Sequence, residues 1–287
     1  MANFFLRQKT GSVVCRSCSL LVGVQDQACY HCGCSYPGLL GFGPTLRTLG
    51  RDLGFKSLIT WGCGLLFVLS LVIDLKGIGM SGFFGILSPS IHSSFVLGAS
   101  GAVPVFQFHR WWTVISAGWL HGGLIHLGFN LLWINQLVPL TSSIYGPGRT
   151  VIIYVGSSVF GFLLSSTAGA FLGQLPLLGG AQLTVGASAA IFGLLGALVY
   201  AGKRGVATQI GRQALINAAL IFVLGVIMIR VDNWAHLGGF IGGYAAAAFM
   251  NPLEPERLNH LFLALLLLLA TAVSVIWSFL TAMKYLA

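Results

Sequence analysis

No charged residue occurs between Arg149 and Lys203, a run long enough to cross a lipid bilayer twice at about 20 residues per crossing. Charged residues are scarce throughout, at 7% of the chain against 56% hydrophobic residues. The mean hydropathy is +0.89. Because a water-soluble surface of ordinary charge density cannot be built from this composition, the sequence predicts a polytopic membrane protein.

Apolar runs separated by polar turns predict seven membrane-spanning helices and hence an all-α fold. Some runs are short for a bilayer of about 30 Å, so we expect their ends to extend into the loops. The predicted spans are residues 57–75, 121–142, 150–172, 187–202, 212–229, 234–250 and 259–281.

Basic residues are unevenly divided between the two sides that these spans define. Lys and Arg in short loops favour the cytoplasmic side of a membrane. With the N-terminus inside, only four of the 15 basic residues lie outside: Lys76, Arg110, Arg230 and Lys284. The sequence therefore predicts an integral, multi-pass protein of a cytoplasmic membrane, with the N-terminus inside and the C-terminus outside. The net charge of +9 reflects this topology and contact with anionic lipid, so we expect no nucleic-acid partner.

Two CxxC pairs lie within residues 1–36, which we expect to form a cytoplasmic, zinc-ribbon-like head. Two such turns present four thiolates to one metal ion at about 2.3 Å, as in a closed, structural zinc site. Disulfide bonds are the alternative, but a reducing cytosol favours metal. About forty residues bury little core, so the metal would supply the folding energy. The predicted zinc ligands are Cys15, Cys18, Cys29 and Cys32.

Two further side chains of the head, His31 and Cys34, could replace one thiolate, although we expect both to be bystanders. Gly and Pro residues indicate a linker over residues 37–56. We expect the head either to bind a protein partner or to cap the first span.

Few polar side chains lie within the predicted spans, where each needs a hydrogen-bonding partner and is therefore a candidate for function. Taken singly, such residues usually serve helix packing or interhelical hydrogen bonds. Together they supply a nucleophile, a base and hydrogen-bond donors, which acyl transfer requires. They are His121, His126 and Asn130 on the second span, Ser188 on the fourth and His236 on the sixth.

All six carboxylates lie at span ends or in loops, so catalysis would use a Ser/His dyad without an acid. In such a dyad His236 must be neutral to accept the Ser188 proton. Asp232, four residues before His236, could touch it, although we expect this carboxylate to face the outer headgroups.

Three motifs together resemble the rhomboid family of intramembrane serine proteases. HGGLIHLGFN resembles the family's HxxxxHxxxN, GASA its GxSG, and AHLGGFIGG its AHxxGxxxG. The resemblance implies that Ser188 is the nucleophile and His236 its general base. It also implies that His126 and Asn130 help to form the oxyanion hole, with no cofactor for catalysis.

The same resemblance implies supporting roles for His121 and Gly186. It implies a six-helix, rhomboid-like core over residues 57–250 and a C-terminal seventh helix over residues 251–287. The expected activity is a serine endopeptidase that cleaves transmembrane helices of membrane protein substrates near the outer leaflet.

Other parts of the chain also suit this family. Gly239 and Gly243 would let the sixth helix press against the fourth and bring His236 to Ser188. The apolar residues 77–112 are expected to lie in the outer leaflet, and the uncharged loop 173–185 to form a lid or a substrate wall.

The sequence departs from the family pattern at two places. Ala189 follows the serine where the family has Gly, so its methyl group could narrow the approach to the oxyanion site. Thr113 stands where the family has Arg, with Arg110 close but shifted, so the anchoring of the first outer loop could differ.

Two alternatives to a protease remain open at this point. A catalytically inactive rhomboid-like protein would bind transmembrane helices without cutting them, and Ala189 would be its main support. An intramembrane metal or proton site would instead use His121, His126 and His236, leaving the serine and the asparagine without a role.

Overall fold

A computed structural model describes residues 7–81, 85–173, 179–228 and 231–282. These residues form a mainly helical protein with two short hairpins, which pair β1 (Ser12–Val14) with β2 (Leu21–Gly23) and β3 (Gly79–Ser81) with β4 (Gly85–Ser88). The helices are α1 (Gly43–Arg47), α2 (Phe55–Ile73), α3 (Ile91–Leu97), α4 (Thr113–Ser116), α5 (Leu124–Tyr145), α6 (Pro147–Leu172), α7 (Ser188–Lys203), α8 (Thr208–Ile227), α9 (Asn233–Phe249) and α10 (Leu258–Ala282).

Helices lie at all seven predicted span positions, namely α2 and α5 to α10. Among the described helices, α2, α6, α8 and α10 are long and apolar enough to cross a membrane alone. The segment Thr113–Trp119 and α5 pass the same test only as a pair, bent by 91°. By contrast, α7 and α9 have 16 and 17 residues, which is about 24–26 Å of helix. The multi-pass, all-α architecture is confirmed, with two helices shorter than full spans.

The centre of the bundle consists of α6, α7 and α9. In α6, 67% of the apolar stretch is buried, against 22% in each of α2, α8 and α10. Most of α7 is also buried. The uncharged run between Arg149 and Lys203 therefore comprises two helices enclosed by protein, whereas the outer helices present apolar side chains outwards, as contact with lipid requires.

The head has a small core in which three valines of the hairpin region pack with the cysteines. Residues 37–56, which the sequence predicts as a linker, are more structured than that prediction. They contain a 3₁₀ turn at Leu39–Gly41 and the helix α1. Ser142 Oγ of α5 also donates a hydrogen bond to the Arg51 carbonyl at 3.2 Å, so this segment is joined to the bundle.

The long segment between α2 and α5 is folded against the bundle. It contains β3, β4, α3, a π-helical turn at Val103–Gln107 and α4. The seventh helix, α10, packs against α3, α4 and α6. Hydrogen bonds from Ser88 to Gly122 and between Ser100 and Thr184 place this segment at the end of the bundle where α5 and α7 begin, and the C-terminal part of α10 contacts it there.

Candidate active site

Ser188 and His236 meet at the start of two neighbouring helices. Ser188 is the first residue of α7, and His236 lies in the first turn of α9. His236 Nε2 is 2.9 Å from Ser188 Oγ, which is hydrogen-bonding distance. His236 is buried, with 5% of its surface exposed, while Ser188 is half-buried. The hydroxyl and the imidazole are thus within reach of direct proton transfer.

Glycines of α9 explain how the two helices come so close. A methyl group on Gly239 would overlap the Ala189 carbonyl, and one on Gly243 would overlap the backbone of Gly193. Small residues at such positions let helix backbones approach closely. The packing expected for Gly239 and Gly243 is therefore observed.

The His236 ring is held by packing on one face. The Phe192 ring stacks on it at 4.3 Å between centroids, with an interplanar angle of 12°. Phe192 lies one helical turn after Ser188, so one helix supplies both the hydroxyl and the aromatic support. No motif in the sequence drew attention to Phe192. Within the described residues, His236 Nδ1 has no hydrogen-bond partner, so no acid completes a triad there.

Asp232 makes two hydrogen bonds that the sequence did not predict. Its Oδ1 accepts a hydrogen bond from the Ala235 N–H at 3.0 Å, which caps α9. Its Oδ2 accepts one from Ser165 Oγ of α6 at 2.6 Å. Both carboxylate oxygens therefore fix the start of α9 against α6.

His126 has its Nε2 atom on the side of the ring that faces Gly186 and the serine. The Gly122 N–H donates to His126 Nδ1 at 3.3 Å, so the proton of a neutral ring resides on Nε2. A Cβ built on Gly186 would lie 2.9 Å from His126 Nε2 and 3.7 Å from Ser188 Oγ. Gly186 has φ +137°, which an L side chain rarely adopts. Glycine at this position therefore leaves open the space between a donor N–H and the serine.

Asn130 and His121 both lie beside His126. The Asn130 amide donates to the His126 carbonyl at 2.9 Å, one turn back along α5. His121 is buried, and its ring packs edge-on to that of His126 at 5.3 Å. The described contacts of these two residues are with the surroundings of His126 rather than with Ser188.

The stretch before Ser188 is hydrogen-bonded to the chain on both sides of α4. Ser100 and Thr184 exchange two backbone hydrogen bonds, of 3.0 and 2.8 Å. The Gly186 N–H donates to the Ala117 carbonyl at 3.0 Å. Part of the predicted lid, residues 174–178, lies outside the described residues. The described remainder is bonded to the neighbouring segment on both sides of Thr184.

The two departures from the family pattern have structural explanations. The Ala189 methyl group lies in a buried cluster with Ala117, Phe162 and Ala235, so it points into protein and not into the space beside Ser188. The guanidinium of Arg110, shifted by three positions from the expected one, is buried and donates to the Phe95 carbonyl at 2.6 Å.

The four predicted metal ligands converge in the head, with all four sulfur atoms within 4.8 Å of one another. The Cys15–Cys32 and Cys18–Cys29 sulfur distances are 3.8 and 3.7 Å. Sulfurs around a tetrahedral ion with 2.3 Å bonds lie about 3.8 Å apart, so the cluster fits a metal ion. The Cys34 sulfur also lies beside the cluster, 3.3 Å from that of Cys15. In the part of the chain that the structure describes, the three bundle histidines form no comparable group.

An ion pair that the sequence did not predict attaches the head to the bundle. Arg16, inside the first CxxC turn, pairs with Glu256 between α9 and α10 at 2.7 Å, with side-chain exposures of 5% and 3%. The second carboxylate oxygen of Glu256 accepts from the Arg149 N–H of α6 at 2.8 Å. One carboxylate, in the connection between α9 and α10, thus links the cysteine cluster to α6.

A family model and several individual proteins that resemble this chain all carry the same family description. A family model described as the rhomboid domain matches residues 109–253. The chain is 31% identical over 171 residues to Rhomboid protease GluP of Bacillus subtilis (strain 168), covering 58% of this chain and 32% of that protein. It is 34% identical over 171 residues to RHOMBOID-like protein 5 of Arabidopsis thaliana, covering 55% and 50%.

A third relative is Rhomboid-like protease 3 of Toxoplasma gondii, 29% identical over 169 residues, covering 57% of this chain and 60% of that protein. The chain thus spans between about a third and three fifths of the length of these relatives. The family match covers half of the 287 residues and includes Ser188 and His236. The chain therefore belongs to the rhomboid family.

Proposed function

We propose that this protein is an intramembrane serine endopeptidase that uses Ser188 as the nucleophile and His236 as the general base. The 2.9 Å contact between Ser188 Oγ and His236 Nε2 carries the proposal. In the first step His236 takes the hydroxyl proton while Ser188 Oγ attacks the substrate carbonyl carbon. His236 then returns the proton to the leaving amine. In the second half of the reaction His236 takes a proton from water, the water oxygen attacks the acyl carbon, and the ester bond to Ser188 Oγ breaks as His236 returns the proton to that oxygen.

The negative charge that develops on the substrate oxygen needs a donor, and we propose His126 Nε2–H for this role. The fixed tautomer of His126 and the open space over Gly186 support this assignment. We propose Asn130 as the second member of the oxyanion hole, since its amide lies beside His126 and donates to the His126 carbonyl. His121 would support the site by packing against the His126 ring. A donor already aimed at the reacting oxygen requires no reorganisation during the reaction.

The proposed substrates are transmembrane helices of membrane proteins, cut near the outer leaflet. Helices hide their carbonyl groups in i to i−4 hydrogen bonds, so a substrate helix must unwind before Ser188 reaches it. We expect helix-breaking residues near the cleavage site to increase the rate. The inactive rhomboid-like alternative is not favoured, because named relatives are proteases and the Ala189 methyl group is directed away from the serine.

A transmembrane reporter in liposomes tests the activity with wild type, Ser188→Ala and His236→Ala. We expect cutting by wild type alone, with fluorophosphonate labelling of wild type that Ser188→Ala abolishes. Cutting by Ser188→Ala would refute the assignment of the nucleophile.

We propose zinc as the metal of the head, because four closely spaced thiolates are a typical structural zinc site. The ion would hold the two CxxC turns together and would take no part in peptide cleavage. Elemental analysis should give one zinc per chain, lost in Cys18→Ser. Another metal, or none, in protein purified without chelator would contradict this assignment.

We also propose a head over residues 1–36, a connecting segment over 37–56, the catalytic core over 57–250 and the seventh helix over 251–287. The head would lie in the cytoplasm and the C-terminus outside, in a cytoplasmic membrane. Arg16, Arg51 and Arg149 all lie at the end of the bundle that the head contacts. This location supports the orientation, because basic residues are enriched at cytoplasmic ends. Protease digestion of the head only in inverted vesicles would be the expected result.

A further inference from the structure

The seventh helix lies outside residues 109–253, which match the family, yet it makes unusual polar contacts. Ser274 and Ser278 are four residues apart on one face of α10 and are fully buried. Ser274 Oγ donates to the Trp112 carbonyl at 2.6 Å, and the Trp112 indole Nε1–H donates to Ser278 Oγ at 3.0 Å. Trp112 is thus held by α10 through both its main chain and its side chain.

Arg110 reinforces this junction from two residues earlier. Its guanidinium donates to the Ser278 carbonyl at 2.8 Å and to the Phe95 carbonyl at 2.6 Å. The same group lies over the Phe95 ring at 4.3 Å. One buried cation therefore joins α10 to α3, and charge-assisted hydrogen bonds of this kind are strong.

The junction continues towards the catalytic pair. Trp112 directly precedes α4, whose last residue, Ser116, donates to the Gly98 carbonyl at 2.8 Å. The next residue, Ala117, accepts the Gly186 N–H at 3.0 Å. Gly186 lies two residues before Ser188, so a continuous series of contacts runs from α10 to the backbone beside the nucleophile.

Rigid support for this backbone matters because its position decides the space between His126 and Ser188. Misplacing reacting groups by about 1 Å can lower a rate by about 100-fold. We propose that Ser274 and Ser278 of α10 are positioning residues that, through Trp112 and α4, hold Gly186 and Ser188 in the geometry for attack. This inference rests on the proposed protease activity.

Thr271 provides a matched control on the same helix. It is also buried, at 4% exposure, but its hydroxyl donates to the Leu267 carbonyl of α10 itself at 2.9 Å. Its removal therefore deletes a buried hydroxyl without touching the junction with Trp112.

The test compares three variants with wild type. The first is a double variant that carries both Ser274→Ala and Ser278→Ala. The second is Thr271→Ala, and the third is Ser278→Thr, which keeps a hydroxyl at the junction. Reporter cleavage in liposomes gives kcat and KM, and thermal unfolding monitors the fold. We expect kcat of the double variant to fall by about 10- to 100-fold with KM changed less than about twofold. Fluorophosphonate labelling of Ser188 should slow in the double variant by a similar factor. We expect kcat of Thr271→Ala to stay near wild type and Ser278→Thr to keep most of the wild-type kcat.

Trp112→Phe removes the indole donor and part of the ring but keeps the main-chain carbonyl that Ser274 contacts. It serves as a second, milder variant if the double variant fails to fold. Wild-type kcat in Trp112→Phe or in a folded double variant would overturn the inference, and so would an equal loss in Thr271→Ala. These outcomes are separate from failure of the proposed function, which would appear as cleavage by Ser188→Ala.

Discussion

The cysteine cluster of the head and the Ser188–His236 pair of the bundle assemble their reactive atoms in different ways. The four sulfurs come from residues 15–32, within 18 positions of one another along the chain. Ser188 and His236 are 48 positions apart, and His126 comes from a third helix. The head builds its cluster from two local turns, whereas the bundle builds its pair from the packing of α7 against α9.

This difference separates stability from chemistry. The head has few buried apolar side chains, so a metal held by its four cysteines and the ion pair to the bundle should contribute mainly to folding. The bundle has a large apolar core, so the serine and the histidines can be changed with little loss of fold. Variants of the two regions should therefore affect different measurements.

Ser188→Ala should have the largest effect of these changes, and that effect should fall mainly on the rate of cleavage. We expect cleavage to fall by about 10⁴- to 10⁶-fold, as for removal of a serine protease nucleophile. The free energy of unfolding should fall by no more than about 3 kcal/mol, the cost of leaving the buried His236 Nε2 without its partner. Reporter cleavage and chemical unfolding in detergent measure the two quantities. A large loss of stability would show that the pair also holds α7 to α9.

Glu256→Gln should show the opposite behaviour. It leaves the buried Arg16 without its charge partner, which costs about 3–5 kcal/mol in comparable sites. Chemical unfolding should detect this loss, while kcat of the folded protein stays near wild type.

The control for this change is Glu254→Gln, because Glu254 pairs with Arg257 at 3.5 Å with both side chains more than half exposed. Such pairs contribute about 0–1 kcal/mol. Equal losses of stability in the two variants would show that the buried Arg16–Glu256 pair contributes no more than an exposed pair, and would contradict its role in holding the head to the bundle.

His126→Ala should lower kcat by about 10²- to 10³-fold, the usual loss on deleting one oxyanion-hole donor. Asn130→Ala should lower it less, because the described contact of its amide is with the His126 carbonyl. Steady-state kinetics of both variants decide the point. A larger loss in Asn130→Ala would identify the amide as the main donor.

Ala189→Gly should have the smallest effect of these changes. Its methyl group packs in a buried cluster, so we expect the rate to stay within about threefold of wild type. The free energy of unfolding should fall by about 0.5–1 kcal/mol, the cost of glycine within a helix. A tenfold gain in rate would show instead that the methyl group obstructs the oxyanion site.

Local patterns in the sequence were sufficient for much of this molecule. The helices follow from apolar run length, and the cysteine cluster follows from two CxxC turns whose ligands are near neighbours in the chain. The candidate residues of the bundle follow from the rarity of polar groups in a membrane and from three motifs at consistent positions. Each of these signals depends on residues close together in sequence, so no knowledge of packing was needed.

Other features were decided by tertiary structure alone. The bonds of Asp232 to Ser165, of Arg16 to Glu256 and of Trp112 to Ser278 each join residues at least 67 positions apart. Phe192 becomes a support for His236 only because Gly239 lets α9 lie against α7. A polar group excluded from water takes whichever partner the helix packing brings within about 3 Å. The sequence determined which side chains needed partners, and the three-dimensional packing chose them.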